Sequence, residues 1–508
     1  MERDVIDEST AGQLKCRAAG ILLHPASLPG EEGIGTFGKW AFRFIDFLAE
    51  AGQSYWQILP LGPTGFANSP YLSFSSRAGN PLLIDLEMGV GEGLGKAVSP
   101  LTAVAESERI HYPTLIQRKY PLLRRFWESF QTNASSKWRG LLDDFRAEQE
   151  GWLEDYALFM ALKKEFNYIP WNQWPEAISL REETALLSWR SKLHREMDFE
   201  IFLQFLFYYQ WKRILDKAHK KGISIIGDIP LYVSLDSADA WVEPDLFQLD
   251  QNLQPVKVSG VPPDYFSEDG QLWGSPVYNW DYHIESGFAW WLERFRSKMA
   301  LADLFRLDHF RGLESYWAVP YFEKTAREGS WEQAPGRALL QKVRDTYGSL
   351  PLIAEDLGDI SREVEKLRDD FGLPGMHIMQ FGFDGNPRNQ HSFHHHRNNA
   401  VVYTGTHDND TLHGWFNGLP EQELRHIEAY LASRDDLPSR IIRLTMMSPA
   451  RLAIIPMQDY LNLGGNARMN TPGSTDGNWE WRMNARDTTA ELAARIRELC
   501  TIYGRVQA

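Results

Sequence analysis

Cysteine is almost absent from this chain of 508 residues, which contains only Cys16 and Cys500, near its opposite ends. Two cysteines so far apart do not have the spacing of a metal site, and a disulfide framework would use more of them. The first residues lack the apolar core of a signal peptide. No run of about 18 apolar residues predicts a membrane span. We therefore expect a cytoplasmic protein.

An excess of positive charge is also missing. The chain has 53 Lys and Arg against 68 Asp and Glu, which gives a net charge of −15. An acidic chain without a basic stripe argues against nucleic acid, and equally against an anionic membrane surface, as a partner. Aromatic residues are abundant by contrast, at 13% with 19 Trp. They either fill a core or form platforms for sugar rings, and composition leaves both interpretations open.

Short apolar strands alternate with helical patterns along the chain. The candidate strands are centred near residues 20, 56, 226, 305, 353, 379, 402 and 454, and each precedes a helical pattern. Such a set of strands is what a (β/α)8 TIM barrel requires. The alternative is a doubly wound open sheet, but the chain contains no dinucleotide-binding fingerprint.

Two stretches interrupt this alternation and predict insertions into a single catalytic barrel that spans residues 1–508. Charged and aromatic residues at helical spacing predict a mainly helical insertion subdomain over 82–200. Residues 230–300 are rich in Pro, Gly and aromatics and predict a loop-rich insertion that covers the active site. We expect an amphipathic helix over 199–221 and no C-terminal β-sandwich domain.

Acidic residues stand where apolar strands end, at Asp228, Asp308, Glu355 and Asp408. Active sites of TIM barrels form at the C-terminal ends of the strands, so these carboxylates are candidate catalytic groups. Arg306 lies two residues before Asp308, which places both side chains on one face of a strand. A structural ion pair explains this pair equally well in isolation, but the repetition on other strands favours an active site.

Carboxylates at strand ends are compatible with two kinds of chemistry. Retaining glycoside chemistry needs two carboxyl groups about 5–5.5 Å apart. A magnesium-dependent lyase or hydrolase would also place Asp and Glu there. Aromatic residues in the same loops, including Tyr71, Trp273 and Trp317, suit sugar stacking better than a hydrated ion. A catalytically silent glycan-binding protein would explain the aromatics but not the carboxylates.

A histidine-rich segment, His391 with His394, His395 and His396, invites a metal-site interpretation. Arg397 flanks it, and cysteines or a nearby pair of carboxylates are missing from the segment. We therefore predict a solvated loop and no metal ligand.

Several blocks of the sequence resemble one known family. They are 305–312 (FRLDHFRG), 354–358 (AEDLG), 405–411 (GTHDNDT), 260–274, 69–71 (SPY), 78–81 (AGNP), 468–473 (RMNTPG) and 478–482 (NWEWR). In this order, from about residue 20 to 500, they resemble the amylomaltases, the 4-alpha-glucanotransferases of glycoside hydrolase family 77. Ser275 departs from the pattern, since the family usually has Asn before Pro276.

The resemblance implies transfer of α-1,4-glucan segments to the 4-hydroxyl of an acceptor, through a covalent glucosyl-enzyme and without a cofactor or metal. Asp308 would be the nucleophile, Glu355 the general acid/base and Asp408 the transition-state stabiliser. The partners would be maltooligosaccharides and α-1,4-glucans, and the protein a monomer or simple homo-oligomer. An amylase-type α-glucan hydrolase, with the same carboxylates, is the alternative.

The resemblance also implies which residues bind substrate. Arg306 would hold Asp308 ionised, His407 would flank the carboxylates, and Asp228 would bind sugar. The complete set is Tyr71, Asp228, Tyr265, Phe266, Gln271, Trp273, Arg306, His309, His407 and Asn470.

Overall fold

The computed structural model describes residues 14, 16–94, 109–263, 267–433 and 435–506. Within these ranges the strands form two sheets, one of eight parallel strands and one of four antiparallel strands. The strands are β1 (Ala18–Leu22), β2 (Tyr55–Gln57), β3 (Ser224–Ile229), β4 (Lys257–Val261), β5 (Gln271–Pro276), β6 (Leu304–Leu307), β7 (Ser315–Pro320), β8 (Ser330–Gln333), β9 (Leu352–Ala354), β10 (Gly375–Ile378), β11 (Ala400–Tyr403) and β12 (Leu452–Pro456).

The parallel strands form a barrel in chain order. The sheet runs β10-β11-β12-β1-β2-β3-β6-β9, and the Ala354 N–H donates to the Pro374 carbonyl at 2.8 Å, which links the two ends. This confirms the predicted (β/α)8 fold. The strands lie at the predicted positions, except that β10 ends just before residue 379, where a 3₁₀ turn begins at Met379.

Helices surround the barrel. They are α1 (Lys39–Glu50), α2 (Leu86–Gly91), α3 (Tyr112–Asn133), α4 (Ser136–Glu148), α5 (Leu153–Glu165), α6 (Glu176–Ser179), α7 (Glu183–Lys220), α8 (Ala238–Val242), α9 (Trp280–Glu285), α10 (Ala289–Met299), α11 (Gly336–Tyr347), α12 (Arg362–Asp370), α13 (Leu412–Gly418), α14 (Glu421–Leu431), α15 (Leu437–Met447), α16 (Met457–Tyr460) and α17 (Ala490–Ile502). No helix in the described ranges combines the length and apolar character needed to cross a membrane.

The barrel strands are buried on both faces, as expected when side chains fill the interior and helices cover the outside. Every residue of β1 and β12 is buried. Close strand packing requires glycine at Gly20, where a Cβ atom would lie 2.6 Å from both the Ile454 Cδ1 and the Tyr55 carbonyl oxygen.

The segment between β2 and β3 contains α2 to α7. The helix predicted over 199–221 begins much earlier, because α7 has 38 residues and starts at Glu183. Most residues of its first half are exposed or half-buried, and ion pairs such as Lys192–Glu165 and Lys164–Glu196 join it to neighbouring helices. These charged residues weaken the apolar period from which a helix is predicted.

The antiparallel sheet, in the order β5-β4-β7-β8, follows the third and fourth barrel strands along the chain. The predicted loop-rich region therefore contains two strands, β4 and β5, and the helices α8 to α10 as well. Trp317 on β7 packs against Val258, Val319 and Ala326 on one face of this sheet.

Three histidines form a buried cluster. His391 and His396 are each 8% exposed, and the His377 ring from β10 stacks on His396 with centroids 4.5 Å apart. His394 and His395 are exposed, so the predicted solvated loop is correct for them alone. Burial lowers the pKa of His377 to about 2 and those of His391 and His396 to about 4.

Acid should destabilise the fold through this cluster. The folded pKa values lie below the ordinary histidine value of 6.5, so the unfolded chain takes up protons first as the pH falls below about 6.5. The buried neutral histidines therefore leave the fold fully stable above that pH, and the stability of the fold decreases as the pH falls below it. Replacing His377 with Gln should make the free energy of unfolding less dependent on pH between about 6.5 and 4, which urea titrations measure.

The matched control is His194→Gln at an exposed position of α7. A slope of stability against pH that is equally steep in His377→Gln and His194→Gln would contradict a contribution from the buried cluster.

Candidate active site

The predicted carboxylates meet at the C-terminal ends of neighbouring barrel strands. Asp228 lies in β3, Asp308 directly follows β6, and Glu355 directly follows β9. The strand ends are joined by backbone hydrogen bonds: the Asp308 N–H donates to Ile229 O at 2.9 Å, and the Glu355 N–H to Leu307 O at 3.1 Å. Parallel pairing therefore fixes the spacing of these side chains.

Arg306 joins two of these carboxylates. It pairs with Asp228 across the β3–β6 ladder. One guanidinium nitrogen donates to Asp228 Oδ2 at 2.8 Å, and the other to Asp308 Oδ1 at 2.9 Å. Arg306 is only 3% exposed. The ion pair predicted within one strand is thus a three-residue bridge across two strands.

Asp228 is buried below the site and is only partly satisfied. Its Oδ2 also accepts from the Tyr71 hydroxyl at 2.9 Å, whereas its buried Oδ1 has no partner among the described residues. Burial raises the pKa of Asp228 to about 7, with the charge of Asp308 adding and Arg306 and Tyr71 opposing. An unsatisfied buried oxygen of this kind is a position for a ligand hydroxyl.

Glu355 is held by the backbone of the neighbouring strand end. The His309 N–H donates to Glu355 Oε2 at 2.6 Å. His309 has a left-handed φ of 50°, a strained conformation for a non-glycine residue. Burial raises the pKa of Glu355 to about 8; Asp308 and Asp356 raise it further, and Arg306 and the His309 N–H oppose them.

Asp408 lies on the loop after β11 and is positioned from the C-terminal part of the chain. Asn470 Nδ2 donates to Asp408 Oδ1 at 2.6 Å, and Arg468 donates to the Asp408 carbonyl oxygen at 2.6 Å. His407 Nε2 lies 3.4 Å from Asp408 Oδ1. The His407 ring stacks on Tyr71, with centroids 5.1 Å apart, which connects this side of the site to Asp228.

Trp273 forms another part of the site's wall. Its ring meets His309 edge-on with centroids 4.7 Å apart, and its indole N–H donates to Gln271 Oε1 at 3.2 Å. Two predicted neighbours on this loop, Tyr265 and Phe266, lie outside the described residues.

Two further aromatic residues contact the site. Trp479, which the sequence places among the aromatics beside the carboxylates, has its ring centroid 5.8 Å from Tyr71 and 5.9 Å from His407. Tyr232, which the sequence interpretation did not assign to the site, lies 6.2 Å from both Trp273 and His309. The sequence has no comparable signal for Tyr232.

The site thus places two carboxyl groups in contrasting environments: Asp308 accepts from a guanidinium, and Glu355 is raised in pKa by burial. Such a difference separates a nucleophile from a general acid. Within the described ranges, no group of three or more His, Cys, Asp or Glu residues could hold a metal ion. The absence of a cofactor stays a prediction.

Comparison with known proteins gives consistent matches along the whole chain. A family model described as 4-alpha-glucanotransferase matches residues 23–488. The 4-alpha-glucanotransferase of Thermus thermophilus is 46% identical, over 96% of this chain and 99% of that protein. The chloroplastic/amyloplastic 4-alpha-glucanotransferase of Solanum tuberosum is 43% identical, over 96% of this chain and 87% of its own.

A solved structure shows the same fold. The amylomaltase of Streptococcus agalactiae, in complex with acarbose, superposes with a TM-score of 0.93 at 41% identity, over 97% of this chain and 100% of that one.

The bridge predicts a large stability difference between two arginines. Arg306→Met leaves Asp228 and Asp308 without their cation, and we expect the free energy of unfolding at pH 7 to fall by about 3–5 kcal/mol. The control is Arg337→Met, which removes an exposed arginine paired with Asp370 and should cost no more than about 1 kcal/mol. Denaturant titrations measure both values, and similar losses in the two variants would contradict the bridge.

Proposed function

Because the chain belongs to the 4-alpha-glucanotransferases of glycoside hydrolase family 77, we propose that Asp308, Glu355 and Asp408 carry out its reaction as nucleophile, general acid/base and transition-state stabiliser. The enzyme is a 4-alpha-glucanotransferase, and the amylase-type hydrolase is not favoured, since relatives matched over the whole chain are transferases. The bridge from Arg306 to Asp228 and Asp308 is the observation that best supports these residue roles.

The substrates that we propose are maltooligosaccharides and longer α-1,4-glucans, as donors and as acceptors. Donor-acceptor exchange requires a site that binds neutral sugars, and hydroxyl-accepting carboxylates beside aromatic rings have this character. We also propose one catalytic barrel over 1–508 with insertions at 82–200 and 230–300. Reduced, unpaired Cys16 and Cys500 fit the cytoplasm that we propose as its location.

Glycosyl transfer to the enzyme begins at Asp308. Its Oδ1 accepts from Arg306, which leaves Oδ2 to attack the anomeric carbon of the donor. As the bond to that carbon forms, the glycosidic bond breaks and its oxygen takes the proton of Glu355. The products are a β-linked glucosyl ester of Asp308, a free leaving glucan and ionised Glu355.

Glu355 can deliver this proton because its raised pKa keeps it protonated near neutral pH. The His309 N–H occupies Oε2, so Oε1 is the oxygen available for the proton. In the second half of the reaction, ionised Glu355 accepts the proton of the 4-hydroxyl of an acceptor glucan. That oxygen attacks the anomeric carbon, the ester bond to Asp308 breaks, and the α-configuration is restored.

The remaining polar groups bind the sugar that reacts. Asp228 Oδ1 is buried, has no hydrogen-bond partner among the described residues and accepts a sugar hydroxyl in our proposal. Asn470 binds Asp408 Oδ1, and we propose that Oδ2 accepts from the ring hydroxyls and stabilises positive charge on the anomeric carbon. Tyr71, whose ring stacks on His407, forms the sugar-facing wall.

Transfer exceeds hydrolysis when an acceptor sugar reaches the glucosyl-enzyme before water does. We propose that Trp273 and His309, in edge-on contact, form the acceptor wall together with Gln271. Tyr265 and Phe266, which the family resemblance also assigns to glucan binding, lie outside the described residues.

Incubation with maltotriose tests the function. Glucose and longer maltodextrins should appear without a net gain in reducing ends, which is the signature of transfer. A matching rise in reducing ends would indicate hydrolysis, and no products would overturn the proposed activity.

Removing either reacting carboxyl should abolish transfer without unfolding the protein. We expect Glu355→Gln to reduce kcat by about 10²–10⁴-fold, since an amide cannot donate or accept the required proton. Asp308→Asn should lose at least as much, because no covalent intermediate forms. The measurement is glucose release from maltotriose, with circular dichroism to confirm folding.

The control for both variants is Asp359→Asn, an equivalent change at a carboxylate that is 91% exposed. A donor with a fluoride leaving group separates the two roles, because fluoride needs no proton from Glu355. Glu355→Gln should then accumulate a glucosyl adduct on the peptide containing Asp308, detectable by mass spectrometry. An adduct on another residue would contradict the assignment of the nucleophile.

The alkaline limit of activity should follow Glu355. The acid must be protonated to act, so kcat/KM should fall as the pH rises through about 8. The negative charge of Asp356 raises this pKa, so Asp356→Asn should lower it and move the alkaline limit to lower pH. Rate profiles of wild type, Asp356→Asn and the control Asp359→Asn measure the shift, and an upward shift would contradict this cause.

A further inference from the structure

Arg294 on α10 is a buried arginine outside the catalytic set. It is 2% exposed, and its hydrogen bonds within the described residues go to neutral groups. It donates to the carbonyl oxygens of Pro230 and of Leu231, the latter at 3.0 Å, and lies 3.3 Å from the Tyr278 hydroxyl. A buried charge is costly unless its hydrogen bonds are made, so this arrangement needs a reason.

Those two carbonyls belong to the chain segment that leaves the active-site end of β3. Pro230 and Leu231 directly follow the strand that carries Asp228. The Tyr278 hydroxyl donates to the same Leu231 oxygen at 2.8 Å, so two buried side chains fix one turn of backbone. A planar guanidinium can hold two neighbouring carbonyl oxygens at once, which a lysine cannot do.

The residue that this turn presents is Tyr232. Its ring stacks on Tyr278 with centroids 6.0 Å apart and planes 15° from parallel. Its ring also lies 6.2 Å from those of Trp273 and His309. Tyr232 therefore lies between the anchored turn and the two residues of the acceptor wall.

Aromatic rings also contact Arg294, whose buried Nε has no hydrogen-bond partner among the described residues. The guanidinium lies 5.0 Å from the centroid of Trp291 and 5.2 Å from that of Trp290. Cation–π contacts help to compensate the burial of an arginine. Tyr278 packs against the same Trp291 ring and against Phe247.

We propose that Arg294 is a positioning residue, which fixes the Pro230–Leu231 turn so that Tyr232 keeps Trp273 and His309 in the orientation that binds acceptor glucan. The inference rests on the proposed role of those two residues in the acceptor wall. Arg294 acts through packing at a distance from the reacting atoms. A binding wall whose supporting residues are displaced fits its sugar less well, so the expected effect is on substrate binding.

The test compares Arg294→Lys with Tyr278→Phe, which preserves the ring but removes the hydroxyl that donates to Leu231 and accepts from Arg294. In both variants we expect KM for maltotriose to rise by about 5–10-fold while kcat changes by less than about 3-fold, since sugar binding is weakened and the carboxyls are untouched. The gain of reducing ends per glucose released should also increase, because a displaced wall admits water.

Arg505→Lys is the matched control. Arg505 is also fully buried and also donates to carbonyl oxygens, including those of Ala18 and Ala450 at 2.8 and 3.1 Å. These lie at the N-terminal ends of β1 and β12, away from the active site. Arg505→Lys should lower the melting temperature and leave both KM and the reducing-end ratio unchanged.

A double-mutant cycle tests the route through Tyr232. If Arg294 acts through this ring, Arg294→Lys should add little to the rise in KM caused by Tyr232→Leu. Independent, multiplying effects would overturn the proposal. The proposal would also be overturned if both Arg294→Lys and Tyr278→Phe kept the wild-type KM. These outcomes differ from failure of the proposed function, in which the wild type itself transfers nothing.

Discussion

The active site depends on one buried cation shared by two carboxylates. Arg306 is nearly inaccessible to solvent and donates to Asp228 and to Asp308. Buried charges are tolerated when they are paired and their hydrogen bonds are made. The bridge is possible because β3 and β6 are parallel neighbours whose register places Asp228 opposite Arg306. The register of the barrel strands and the positions of Asp228 and Asp308 are therefore fixed by the same contacts.

The sequence predicted the barrel well because its strands are short, largely apolar segments that local pattern can detect. In β3, β6 and β9 an acidic residue also lies near or directly after the C-terminal end of the strand. The antiparallel sheet was not predicted, since its strands pair across long separations, as β4 does with β7. Such pairing depends on tertiary contacts, which short windows of sequence do not contain. The early start of α7 was missed because its first half has ion pairs in place of an apolar stripe.

The same distinction applies to the site. Asp228, Asp308 and Glu355 were predictable because a strand end places each of them. Tyr232 and Arg294 were not predictable, because their positions depend on contacts between elements that are distant in the sequence. Arg294 on α10, for example, donates to the backbone that follows β3. Histidine gives the opposite lesson: His391 and His396 looked like surface residues from their polar neighbours, yet packing against His377 buries them. Burial is decided by the elements that cover a residue, and polar composition does not reveal it.

The strain at His309 has a chemical consequence. A left-handed backbone at a non-glycine residue costs on the order of 1–2 kcal/mol. In this conformation the His309 N–H donates to Glu355 Oε2, and the next N–H, of Phe310, donates to the Glu355 carbonyl. Glu355 is thus oriented by the backbone turn that directly follows Asp308. The end of one barrel strand therefore positions the carboxyl of the next, in addition to the hydrogen bonds of the parallel β6–β9 pair.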